Sequence, residues 1–221
     1  MIAADPAGLV LAAGAGRRLG LGPKALLEVD GRPLIRSVAE ALLSGGCTDV
    51  TVVTGAYADE VVDIVTGHSH IHVAHNPDWA AGMGASLRCG LRTIGPDRTI
   101  VVMPVDHPGI SAAEVQRVIA AHRPGGITAA AHRDPLGRAR RGHPVLFDAE
   151  WTAAAATAAY DDVGARELLA AHSDIVTSVD CSDLSDGGDI DVPADLTRLT
   201  GDGSRLSSVG ADSDAAPRCR G

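Results

Sequence analysis

Short apolar runs bounded by glycine alternate with stretches of helical period along nearly the whole chain, and this alternation limits the available folds more than any other feature. Residues 8–13 (GLVLAA) form a continuous apolar run ending in glycines, as a strand buried on both faces should. Residues 33–43 then read as a helix: Leu34, Val38, Ala41 and Leu42 share one face, and Pro33 suits the first turn. Further strands are expected at 50–54, 71–74, 99–103, 127–132, 144–147 and 175–179. Helices are expected at 57–65, 83–94, 150–160 and 164–172. Another runs from Ser111, an N-cap with Glu114 completing a capping box, to about residue 122. The pattern predicts an α/β fold with a mostly parallel central sheet and right-handed crossovers.

A chain of 221 residues suits one domain, which the periodicity places at 1–200. Residues 201–221 are rich in Gly, Ser and Asp without periodicity and read as a disordered tail. Only 2% of residues are aromatic, so the core must be built from Ala, Val, Leu and Ile. The net charge of −9 argues against general affinity for nucleic acid or an anionic membrane. Cys47, Cys89, Cys181 and Cys219 show no C-x-x-C spacing, so neither a zinc knuckle nor a disulfide framework is indicated. His68, His70 and His72 would share a strand face, but no carboxylate or thiol joins them at ligand spacing. With no signal-like or membrane-length apolar run, the expectation is a cytoplasmic protein with reduced thiols.

Against that acidic background, the loop after the first strand stands out. Residues 11–24 (LAAGAGRRLGLGPK) carry Gly14, Gly16, Gly20 and Gly22 together with Arg17, Arg18 and Lys24. Glycines let successive backbone N–H groups converge on an anion, Arg18 can fork onto phosphate oxygens, and Lys24 supplies a point charge. In open α/β sheets ligands lie beyond the carboxyl ends of the strands, so a polyanion is the natural guest. The spacing does not match a dinucleotide fingerprint, and the second strand ends in Thr-Gly rather than in an acid. No G-K-[ST] follows, so it is not a Walker A loop either. Asp106, just beyond the strand at 99–103, is placed to hold Mg²⁺ against phosphates.

The run LAAGAGRRLGLGPKALLEVDGRPLI resembles the signature of nucleotidyltransferases, and within them the molybdenum cofactor cytidylyltransferases and their guanylyltransferase relatives, a MobA/MocA-like group. Further family-like segments follow in order: His75-Asn76-Pro77-Asp78-Trp79 through Gly82 to Ser86-Leu87-Arg88, Pro104-Val105-Asp106-His107-Pro108, Gly142-His143-Pro144 and Asp189-Ile190-Asp191-Val192-Pro193. The resemblance implies a three-layer Rossmann-like nucleotidyltransferase fold. It implies that the turn through Ala12, Ala13, Gly14 and Gly16 wraps an NTP triphosphate, with Arg18 and Lys24 neutralising its charge. Ala13 resembles the CTP-using branch. Asp106 and Asp191 would be the metal ligands, with Asp189 the alternative to Asp191. Gly82 and Ser86 would read the base and ribose, while His143 and Arg141 would lie on the acceptor side.

The implied reaction is transfer of CMP from CTP to molybdopterin with release of pyrophosphate, and a molybdoenzyme maturation protein is the implied partner. The acceptor's phosphate is already ionised near neutral pH, so no general base is needed. That accords with the lack of a Ser-His-Asp or Cys-His constellation. Two alternatives stand beside it: transfer to another phosphorylated acceptor such as a sugar or polyol phosphate, and a non-catalytic nucleotide-binding regulator.

Overall fold

The computed structural model describes residues 5–161 and 164–199, so the expected tail at 201–221 lies outside the described residues. The chain runs β1 (Ala7–Leu11), β2 (Glu28–Val29), β3 (Arg32–Pro33), α1 (Leu34–Ser44), β4 (Val50–Thr54), α2 (Ala58–Val65) and β5 (Ile71–His75). It continues through α3 (Met83–Ile94), β6 (Ile100–Pro104), α4 (Ala112–Ala120), β7 (Ile127–Arg133), β8 (Ala139–Phe147), α5 (Ala149–Ala158), α6 (Arg166–Ala171) and β9 (Val176–Asp180). Strands β2 and β3 form a small separate hairpin; the others build one sheet in the order β5-β4-β1-β6-β8-β7-β9.

Pairing is parallel from β5 to β6 and between β7 and β9, while β8 runs antiparallel to both its neighbours. The expected mostly parallel α/β sheet is therefore present. Every residue of β1, β4 and β6 is buried, which is why those runs show no alternation. Along β1, Val10 faces a layer built on α1, α2 and α4, whereas Leu9 and Leu11 face one built on α3, α5 and α6. Three layers result. Close approach of α3 to the sheet requires Gly90, where a Cβ would sit 2.3 Å from a Leu9 methyl carbon.

The chain leaves β1 for β4 on one side and later enters β6 on the other. A crevice opens where the order reverses, between the ends of β1 and β6. One element departs from expectation. β8 begins at Ala139, five residues before the strand expected at 144–147, and takes in Arg140, Arg141, Gly142 and His143. Its register with β7 shifts between Ala129 and Ala131, opposite the stretch containing Pro144, which has no N–H to offer the ladder.

Candidate active site

The turn after β1 is shaped by its glycines. Ala12 N–H donates to Val53 and Ala13 carbonyl accepts from Ala56, which fastens the start of the turn to β4 and the segment after it. Gly16, at φ +65°, faces the Gly22 carbonyl so closely that a Cβ would lie 1.8 Å from its oxygen. Leu19 and Gly20 N–H both donate to the Gly16 carbonyl. Among the described residues the amides of Gly14 to Arg18 donate to no protein acceptor. A short turn with several uncommitted amides suits an anion.

The three cations of the loop do different things. Arg17 lies over the Trp79 ring at 5.8 Å, which pins the turn against the segment following β5. Trp79 also packs against Gly55 beside Ala13, so it serves the loop, as a packing role requires. Arg18 is exposed and, among the described residues, makes no hydrogen bond or ion pair. Lys24 opens a short 3-10 turn and reaches across the crevice to two carboxylates, Asp106 at 2.9 Å and Asp191 at 2.6 Å.

Asp106 stands two residues beyond the end of β6. Its other oxygen meets His107 Nδ1 at 3.0 Å, and its carbonyl accepts from Ile190 N–H, which lays the Asp191 segment across the site. Burial alone would push the Asp106 carboxyl up. The hydrogen bond and charge of His107, with the Lys24 ammonium, outweigh that and hold it well below the usual carboxylate range. Lys24 mirrors this: burial works against its charge, and the two aspartates more than compensate, raising its pKa. Asp189 is exposed, so of the two candidate acids it is Asp191 that joins Asp106.

Gly82 caps α3 at φ 96°, presenting backbone toward the same edge of the sheet. Ser86 is 4% exposed and accepts from Asn76 Nδ2 at 3.2 Å; Asn76 in turn holds Asp78 N–H through its side-chain oxygen. Ser86 therefore shapes the Asn76-to-Asp78 turn from inside rather than offering its hydroxyl at the surface. His143 stacks edge-on against His107, ring centroids 5.6 Å apart. Burial, with the neighbouring His107 charge, pushes its pKa down to about 3, so near neutrality it offers one N–H and no charge. Arg141 donates to the Leu169 carbonyl, and the Arg166 charge acts on His143. Arg141, expected to pair with an acceptor, is thus tied to α6. Arg138 and Arg140 pair with Asp134 at the β7–β8 turn.

The partners of His107 and Asn76 were not legible in the sequence, although both residues lie within family-like segments. Among the described residues no group of three or more His, Cys, Asp or Glu side chains converges as a metal cage. No helix among them is long and apolar enough to cross a membrane.

A mostly parallel sheet with a glycine-rich turn at its switch point defines the class: a doubly wound α/β protein that binds beyond its strand ends. Residues 8–176 match the MobA-like NTP transferase domain, and the chain belongs to that family. It is 42% identical over 194 residues to the nicotine blue oxidoreductase of Paenarthrobacter nicotinovorans, covering 87% of this chain and 95% of that protein. Against the bifunctional protein GlmU of Syntrophomonas wolfei it is 32% identical over 116 residues, 52% of this chain and 25% of that protein. A solved Mycobacterium tuberculosis H37Rv protein superposes with a TM-score of 0.74 at 25% identity, over 90% of this chain and 98% of that one. A nucleotidyl transferase from Methanothermobacter thermautotroptrophicus shares the fold at 24% identity and a TM-score of 0.74, over 87% and 94% of the two chains.

Proposed function

We propose that this chain transfers CMP from CTP to a molybdopterin-type acceptor and releases pyrophosphate. Membership of the family supports nucleotidyl transfer; the base and the acceptor are our reading. The observation that carries it is Lys24 bridging Asp106 and Asp191 beside a turn whose amides are uncommitted. Two carboxylates against one ammonium leave the cluster net negative, so it takes a polyphosphate together with a cation, while the uncommitted amides face the phosphates.

The donor set fits Mg²⁺. Two carboxylates from distant segments share one ammonium, both are hard oxygen donors, and with no third acid converging among the described residues the remaining positions suit phosphate oxygens and water. Bound there, the cation would neutralise charge building up on the phosphates. The amides of Gly14 to Arg18 and the Arg18 guanidinium would bind the triphosphate, and Lys24, released from one carboxylate, would meet a phosphate oxygen. The attacking phosphate of the acceptor carries its own negative charge, so the protein's task is to align two polyanions rather than to remove a proton. His143 would contribute a neutral N–H on the acceptor side.

A second reading is favoured by one observation: the relative matched over 95% of its own length is named an oxidoreductase. In that case the uncommitted amides would hold the pyrophosphate of a dinucleotide reductant. One experiment separates the readings: pyrophosphate release from CTP, GTP and ATP, with and without molybdopterin or sugar and polyol phosphates, beside reduced-nicotinamide oxidation with nicotine blue. We expect pyrophosphate with CTP and molybdopterin. Release only with another acceptor would redirect the proposal, dye-dependent reductant oxidation alone would replace it, and binding without any turnover would leave a regulator.

A further inference from the structure

Buried Glu114 and His132 meet the half-buried Ser185 beside a small cavity that Glu114 and Ser185 line together with His107 and His143, and none of the three takes part in the chemistry above. Glu114 on α4 is 1% exposed; its Oε1 lies 2.7 Å from His132 Nε2 on β7. Ser185, on the segment after β9, donates to Glu114 Oε2 at 2.9 Å and lies 3.1 Å from the same His132 nitrogen. Both acid and hydroxyl approach Nε2, so this is not the relay geometry that would activate a serine. It is a three-way clamp.

Two features show that the clamp overrides local preference. Ser111 caps α4 by accepting from Glu114 N–H, yet the Glu114 carboxylate leaves the expected capping box unfinished and turns inward instead. Gly187, at φ +64°, lies flat on the His132 ring, where a Cβ would come within 2.2 Å of Nδ1. The clamped segment runs on to Ile190, bonded to the Asp106 carbonyl, and to Asp191 on Lys24. Its other ties are the Arg117–Asp183 and Arg198–Asp186 pairs, whose aspartates are 65% and 67% exposed and hold little, and the Ser182 hydroxyl on Arg133 N–H. The Asp195 carboxylate accepts from Asp191 N–H and Val192 N–H at 2.9 Å and fixes the far end of the segment.

We propose that Glu114, His132 and Ser185 form a positioning cluster that sets Asp191 opposite Asp106 and thereby raises the affinity of the carboxylate pair for a divalent cation. This rests on the metal-binding part of the proposed function. Partners that orient a ligand from behind typically change metal affinity 10- to 100-fold when removed. Ser185 is the residue to remove, because the Glu114–His132 pair then survives to keep the fold.

The test is an EPR titration of the full chain with Mn²⁺ in the presence of CTP, read alongside CTP affinity without metal and a thermal melt. Wild type should show a CTP-dependent Mn²⁺ site that Asp191→Asn weakens. Ser185→Ala should weaken it about tenfold with metal-free CTP affinity unchanged, and Ser185→Thr, which keeps the hydroxyl, should return it toward wild type. Equal Mn²⁺ affinity in wild type and Ser185→Ala, with Asp191→Asn still weakened, would overturn the cluster's role and leave the metal reading standing. Loss of metal-free CTP affinity in Ser185→Ala to the same degree would reduce the cluster to general support and overturn the inference. No CTP-dependent Mn²⁺ site in wild type would refute the metal reading itself.

Discussion

Replacing Asp106 with Asn removes one negative charge from the centre of the site while keeping its shape. The side chain is 20% exposed and holds Lys24 at 2.9 Å and His107 at 3.0 Å. A hydrogen bond to a charged group nets about 1.5–3 kcal/mol. The amide can still accept one bond, and Lys24 keeps Asp191, so we expect a stability loss of about 2 kcal/mol. In a chain of this size that lowers Tm by roughly 4–8 °C. Because the folded carboxyl titrates below its unfolded value of about 3.9, its contribution is complete above that pH and lost as pH falls below it. Asp106→Asn should therefore flatten the acid limb of the stability curve. Turnover should suffer far more, by about 10³-fold or beyond, since several kcal/mol of transition-state charge stabilisation goes with the ligand. Pyrophosphate release with the nucleotide and acceptor that the panel identifies, beside a thermal melt, measures both. A folded Asp106→Asn protein turning over within tenfold of wild type would refute the reasoning.

Three further outcomes follow from the same geometry. Lys24→Met leaves Asp106 and Asp191 facing each other without their shared cation, so Tm should fall without metal, and Mg²⁺ should raise it more than in wild type; an equal rise in both would contradict the site. Gly16→Ala should cost about 1–3 kcal/mol through the forced φ and the clash with Gly22, whereas Gly14→Ala, with nothing within 4 Å, should keep the wild-type melt; urea denaturation of the pair compares them. His143 is half-buried and its pKa is pushed down to about 3 from the ordinary 6.5, so between those values the unfolded chain takes up a proton that the folded one does not. Stability should then fall as pH drops through that window, by up to about 1.4 kcal/mol per unit, and urea midpoints should show a shallower fall in His143→Gln.

The layered sheet and the phosphate-type turn were legible because both depend on local signals: unbroken apolar runs for strands buried on both faces, and glycines with cations directly after the first. Asp106 was legible for the same reason, standing at a strand end. Lys24 was read as a phosphate cation, but its two aspartate partners lie 82 and 167 residues away, and only the fold brings them together. The start of β8 was hidden because Gly142 and Pro144 punctuate a stretch of arginines, and a strand beside a register shift carries no clean alternation. The contact of Arg141 with the Leu169 carbonyl was not legible, because it is strand pairing that aims this side chain at α6. The clamp on Ser185 was invisible for a different reason. Glu114 reads as half of a capping box, and nothing nearby in the chain says that its carboxylate belongs to a histidine 18 residues on and a serine 71 residues on.

A crystal structure of the full chain with Mg·CTP tests this site outright. We expect the triphosphate on the amides of Gly14 to Arg18, the metal on Asp106 and Asp191, and Lys24 moved from between the carboxylates to a phosphate oxygen. Nucleotide bound elsewhere, or bound with the Lys24 bridge intact and no metal on either aspartate, would contradict it.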